Sequence, residues 1–146
     1  MNITEVTDTP DNMCSGDYHI LTFAETGFAV LSHCAEEFGL DKALVEQFSD
    51  QVNETDETGS LHPRAPISAI PRRLIRENND SDKLARYLRD FLEANEQHIK
   101  SKKLVIDFRA GLAPFVMTAC KKALNSPSAE ACEEVIIVTN VGSGPT

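Results

Sequence analysis

The chain has 146 residues, a net charge of −9, 41% hydrophobic and 25% charged residues. That is length for one domain and one hydrophobic core, with the composition of a globular protein. The acidic balance excludes a general binder of nucleic-acid duplexes, which needs a basic surface for the phosphates. Apolar runs such as "LVI" and "VIIV" fall far short of the roughly 20 residues of a membrane helix.

Taken in chain order, residues 1–16 are polar and acidic, show no periodicity, and lack the basic start and apolar stretch of a signal peptide. They read as a flexible acidic arm on a cytoplasmic protein. "YHILTFA" (Tyr18 to Ala24) reads as a short buried strand. After Gly27, Phe28, Leu31, Cys34, Ala35 and Phe38 recur at helical spacing. Gly39 suits a helix stop, and Asp41 suits the cap of a second helix with Leu44, Val45, Phe48 and Val52 on one face. "NETDETGS" is an acidic surface loop.

Three prolines, Pro63, Pro66 and Pro71, punctuate the next segment. They exclude a continuous helix and argue against a central strand, leaving an extended edge segment or an ordered loop. From Ser81, a capping residue, Leu84, Tyr87, Leu88, Phe91 and Leu92 form an amphipathic stripe running to about Gln97. "KLVIDF" reads as a buried strand and "PFVMTACKKAL" as a helix with Pro114 in its first turn. "EVIIVTN" reads as a third buried strand. Residues 141–146, rich in Gly and Pro, read as a flexible tail.

Apolar strands linked through helices indicate a parallel sheet covered on both faces. The expected fold is therefore α/β: a small three-layer, Rossmann-like sandwich over residues 17–140, with a mainly parallel sheet of three to four strands. Three clear strands are few. An edge strand from the proline segment, a partner chain or homodimer, or membership of a longer protein would each complete the sheet.

Charge is unevenly placed. Residues 1–63 hold thirteen acids and one base, Lys42, whereas residues 64–109 hold eleven bases and seven acids. The two regions suit mutual compensation within one fold.

Ligands of open parallel sheets bind beyond the carboxyl ends of the strands. Here those ends read "FAETG", "DFRAGLAP" and "VTNVGSG". Gly111 before a helix start leaves backbone N–H groups for an anion, and Arg109 adds a charge-assisted fork. Asp107, Thr26 and Asn140 supply further polar groups, and Arg72 and Arg73 a nearby positive charge. Neither the dinucleotide nor the P-loop glycine pattern is present. The competing reading is that Gly111 makes a tight turn, Asp107 caps a helix and Arg109 pairs with an acid.

His62, in the loop "SLHPRAP" near Arg64, Arg72, Arg73 and Arg76, is the one candidate catalytic group, for chemistry on a phosphorylated substrate. A solvated loop histidine is the plainer reading. Asp17, Glu25 and Asp107 share no ligand-like spacing, so no metal is expected. The four cysteines, Cys14, Cys34, Cys120 and Cys132, form no C-x-x-C pair and read as free thiols, with Cys34 and Cys120 on apolar helical faces. No cofactor is implied.

Two family resemblances attach to these motifs. The run from Ser81 to Asn140, with "LVIDF", the following helix and "EVIIVTN", resembles the core of a STAS domain. That family carries a phosphorylatable Ser after the Asp-bearing strand, where this chain has "RAGLAP" without Ser. "ILTFAETGFAVLSHC" together with "DFRAGLAPFVMTA" is similar to the cyclic-oligonucleotide sensors of CARF type, without their doubled Gly and Lys. The first resemblance implies a protein–protein regulatory module, the second a nucleotide-like ligand at the strand ends. The leading expectation is a non-enzymatic sensing or adaptor domain that binds a phosphate-bearing small molecule. A STAS-like interaction module and an enzyme using His62 stand as the alternatives.

Overall fold

The structure is a computed structural model that describes residues 2–7, 16–23, 35, 39–54, 60–62, 64–108 and 113–139. It is an α/β sandwich on a six-stranded sheet, with five strands parallel, more than the three to four expected. In chain order the strands are β1 (Ile3–Val6), β2 (Tyr18–Phe23), β3 (Ser60–Leu61), β4 (Ile67–Ile70), β5 (Lys103–Asp107) and β6 (Glu134–Val138). Across the sheet the order is β1-β6-β5-β2-β4-β3, and β3 alone runs antiparallel.

Three of these strands differ from the sequence reading, the short β3 among them, since Ser60 falls within the segment read as an acidic surface loop. Ile3–Val6 lies within the segment read as an arm, yet it pairs with β6, Ile3 opposite Val135. It is exposed over most of its length, which is why no apolar alternation marks it. The proline segment supplies β4, buried at all four residues, with β2 on one side and the two-residue β3 covering the other. Proline cannot donate to a ladder, but here the prolines flank the strand. Pro66 instead accepts Ile20 N–H at 2.9 Å, and Pro71 precedes the next helix.

The helices are α1 (Lys42–Glu54), α2 (Arg72–Glu77), α3 (Ser81–Ala94), α4 (Glu96–Ile99), α5 (Pro114–Ala123) and α6 (Pro127–Glu130). Ala35 is helical; Leu40 N–H closes back on its carbonyl at 2.8 Å, and Gly39 takes φ +70°. That is a Schellman stop, whose left-handed residue glycine adopts without strain. Asp41 Oδ1 then accepts Leu44 N–H at 2.9 Å, capping α1 as its sequence indicates. The cap of α3 sits one residue earlier than expected. Asp80, not Ser81, accepts Lys83 N–H at 2.8 Å, because its extended backbone precedes the first helical residue. Asn95 ends α3, and α4 follows as a separate single turn.

The core divides on the two faces of the sheet. Leu21, Phe23, Leu104, Ile106, Val135 and Ile137 pack against α2 to α6. Ile20, Ile67, Val105, Ile136 and Val138 face α1 through Val45, Phe48 and Val52. Because side chains alternate across a strand, burial on both faces requires apolar residues at odd and even positions alike. "KLVIDF" and "EVIIV" have that pattern. Burying one such side chain contributes about 1.5–3 kcal/mol, so α3 is held by Leu84, Leu88, Phe91 and Leu92 rather than by its surface charges. Among the described residues no helix is long and apolar enough to cross a membrane.

Candidate functional site

The strand order reverses direction at β2. From β2 the chain moves to β4 on one side, then passes back to β5 on the other. Crevices at such reversals, beyond the carboxyl ends of the strands, are where open parallel sheets hold ligands. Two of the expected site residues, Arg72 and Arg73, open α2 directly after β4 and Pro71, at this carboxyl edge. Both are half-buried, and Arg73 Nε stands 3.9 Å from Glu77 Oε1 one turn along the helix. Asp107 ends β5 and is only 1% exposed. Since β4 and β5 flank β2, the starts of these exits lie two strand spacings apart, roughly 10 Å. Arg109, Gly111, Thr26 and Asn140 lie outside the described residues.

The surroundings of this edge are specific. Phe23 and Phe108 meet with ring centroids 5.5 Å apart, both buried in the core at the exits of β2 and β5. Thr139 N–H donates to Val6 O at 2.9 Å and ties the exit of β6 to β1. The residues preceding α2 and α5, Pro71 and Ala113, offer no side-chain cap. Neither helix start therefore has its first-turn N–H groups capped by the side chain of the residue before it. Thr22, fully buried one residue before the end of β2, has a hydroxyl with no hydrogen-bond partner among the described residues. Leaving such a group unsatisfied costs about 1–3 kcal/mol.

His62 lies elsewhere. It follows β3, and Arg64 to Pro66 then lead into the amino end of β4. β4 separates it from Arg72 and Arg73; at about 3.3 Å per residue, Pro66 and Pro71 are roughly 16 Å apart. The structure thus keeps Arg64 with His62 and removes Arg72, Arg73 and Arg76 to the opposite end. The Arg-rich loop envisaged around His62 is instead a strand and a helix.

At this amino end there is a cavity of about 330 Å³. Two buried imidazoles line its inner part. His19, 2% exposed on β2, has Nε2 2.7 Å from Ser68 Oγ on β4. Burial, with Lys102 and His98 close by, lowers its pKa to about 4, so the ring is neutral at pH 7. His62, 3% exposed, packs edge-on to Phe48 at 4.9 Å. Its Nδ1 accepts Arg64 N–H at 3.0 Å, which leaves the proton of the neutral ring on Nε2. Burial and then Arg64 lower its pKa as well. Arg64, Gln97 and His98 are exposed and form the rim with half-buried Lys102.

The backbone of Lys102 is fixed on both sides. Ser101 adopts φ +62° and donates its N–H to Ala131 O at 2.8 Å, and Lys102 O accepts Glu133 N–H at 2.8 Å. A serine held in the left-handed region carries a local cost of about 1–2 kcal/mol. His19, His98 and Lys102 went unnoticed in the sequence as site residues. The available signal was the lone imidazole at an inward position of the otherwise apolar strand "YHILTF".

Cys120 and Cys132 are buried free thiols, with burial holding both thiols up, Cys132 to about 11. Cys14 and Cys34 lie outside the described residues. Among the described residues no cluster of three or more His, Cys, Asp or Glu is arranged to hold a metal ion. The fold is that of an α/β domain with a mainly parallel sheet flanked by helices. Comparison with models of known protein families, with curated proteins and with solved structures gives no significant match.

Proposed function

We propose that this chain is a non-enzymatic sensing domain that binds a phosphate-bearing, nucleotide-like small molecule at the carboxyl edge of its sheet. The reading is supported above all by the reversal of strand order at β2, since open parallel sheets hold ligands beyond the carboxyl ends of the strands at such a reversal. Arg72 and Arg73 stand beside it on α2, and the uncapped start of α5 supplies backbone donors. Arg109, two positions past the end of β5 in sequence, adds a bidentate partner for a phosphate.

Catalysis is not required by this arrangement. Arginines and backbone N–H groups suit an anion, and among the described residues of this edge no nucleophile stands with an adjacent base. The test is calorimetric titration with a panel of mono- and dinucleotides. Binding of at least one member is expected, weakened about tenfold or more by Arg72→Ala and by Arg109→Ala. A wild-type protein that gives no heat with any member refutes the reading.

A further inference from the structure

The amino-end cavity is separate from the carboxyl edge and lies at the opposite end of the strands. We infer that it is a second ligand site, built for a phosphate group carried as the free ion or on a small phosphomonoester. The inference stands on geometry and charge. Four separate pieces of chain converge there: the start of β2, the β3–β4 connection, α4, and the entry to β5. Each brings at least one nitrogen-bearing side chain: His19 from β2, His62 and Arg64 from the connection, Gln97 and His98 from α4, Lys102 before β5.

No aspartate or glutamate is among the described residues that line the cavity. In a chain of net charge −9, two cations and three imidazoles gathered with no carboxylate among the described lining residues make a locally positive surface suited to an anion from outside. Burial first, and then Lys102 and His98, disfavour a proton on His19.

Phosphate suits the donors better than a carboxylate does. A carboxylate offers two oxygens in one plane, whereas a phosphate offers three or more and can take donors that come from separate segments of chain. Arg64 supplies a guanidinium fork and Lys102 a compact ammonium. His62 supplies a neutral Nε2–H donor, fixed by the bond from Arg64 N–H to Nδ1. The volume, about 330 Å³, stands at the small end of the roughly 300–1,000 Å³ of ligand pockets. It fits a phosphate with a short carbon body and not a dinucleotide. The rim is exposed, so entry requires no opening of the core.

The experiment follows the histidine ring signals by NMR while inorganic phosphate, glycerol phosphate and acetate are titrated at constant ionic strength to about 10 mM. Ring signals are read in place of melting temperature because phosphate also stabilises proteins by exclusion from their surface. Saturable shifts of His19 and His62 are expected with phosphate or glycerol phosphate. The tighter of the two identifies the free ion or the ester as the ligand class. In an Arg64→Gln/Lys102→Gln double variant, shown folded by circular dichroism, affinity should fall at least tenfold. In Arg72→Ala it should be unchanged, which separates this site from the carboxyl edge. Absence of saturable shifts, acetate binding as tightly as phosphate, or full binding by the double variant overturns the assignment.

Discussion

Acidification should unfold this protein partly through one buried imidazole, and the size of the effect follows from its surroundings. His19 is 2% exposed, bonded to Ser68 Oγ, and faced by Lys102 and His98, with its pKa lowered from 6.5 to about 4. Between those values the unfolded chain takes up a proton that the native protein refuses. Stability therefore rises with pH through that window and is lost as pH falls from 6.5 toward 4. At 1.36 kcal/mol per pH unit the full loss amounts to about 3 kcal/mol. His19→Gln keeps an amide nitrogen near the position of Nε2 but does not titrate. Urea unfolding of both proteins at pH 7.5, 5.5 and 4.5 isolates the contribution, because His62 and the carboxylates are common to both. With a slope of about 2 kcal/mol per molar urea, the wild-type midpoint should fall about 1 M further than that of the variant by pH 4.5. Superimposable pH profiles would refute the account of His19 as a buried neutral base.

Other perturbations read different parts of the structure. Thr22→Val removes a buried hydroxyl without a hydrogen-bond partner and should raise the melting temperature by about 3 °C, for a gain of about 1 kcal/mol; a lower melting temperature would mean that the hydroxyl is satisfied in solution. Leu88→Ala, at 1% exposure between α3 and the sheet, should cost about 2–5 kcal/mol in urea denaturation. Ser101→Gly relieves a left-handed serine before Lys102 and should stabilise by about 1 kcal/mol, measured the same way. Cys120 and Cys132, with thiols held protonated by burial, should resist iodoacetamide at pH 8 until urea is added, as read by peptide mass mapping.

The fold class was legible because three strands and two long helices carry patterns that survive in isolation. "LVID" and "EVIIV" are apolar at odd and even positions, which only a sheet covered on both faces explains. The stripe through Leu84, Leu88 and Phe91 repeats at helical spacing. Three other strands were not legible, β3 because two residues carry no pattern, and β1 and β4 for different reasons. β1 is exposed, so "ITEV" displays no buried face; its place is set by pairing with β6 far along the chain. β4 is only four residues long and is bounded by prolines that suggest a loop. The candidate sites divide similarly. Arg72 and Arg73 stand at the carboxyl edge because β4 ends just before them, whereas the amino-end cavity is assembled from segments far apart in sequence. No local motif records that His19, His98 and Lys102 come together, since tertiary packing alone brings them there.

The pairing of β1 with β6 also constrains the order in which the protein is made. Thr4 and Glu134 meet across 130 residues of chain, and β1 bonds to no other strand of the sheet. A ribosome adding about 5–20 residues per second releases β1 well before its partner strand exists. During that interval "ITEV" has no ladder to join, while β2, β4 and β5 can already associate. Among the described strands, β1 thus precedes the others in the chain yet is among the last to dock. Its exposed, partly charged sequence suits the wait, since a more apolar one would offer an unpaired template to neighbouring chains.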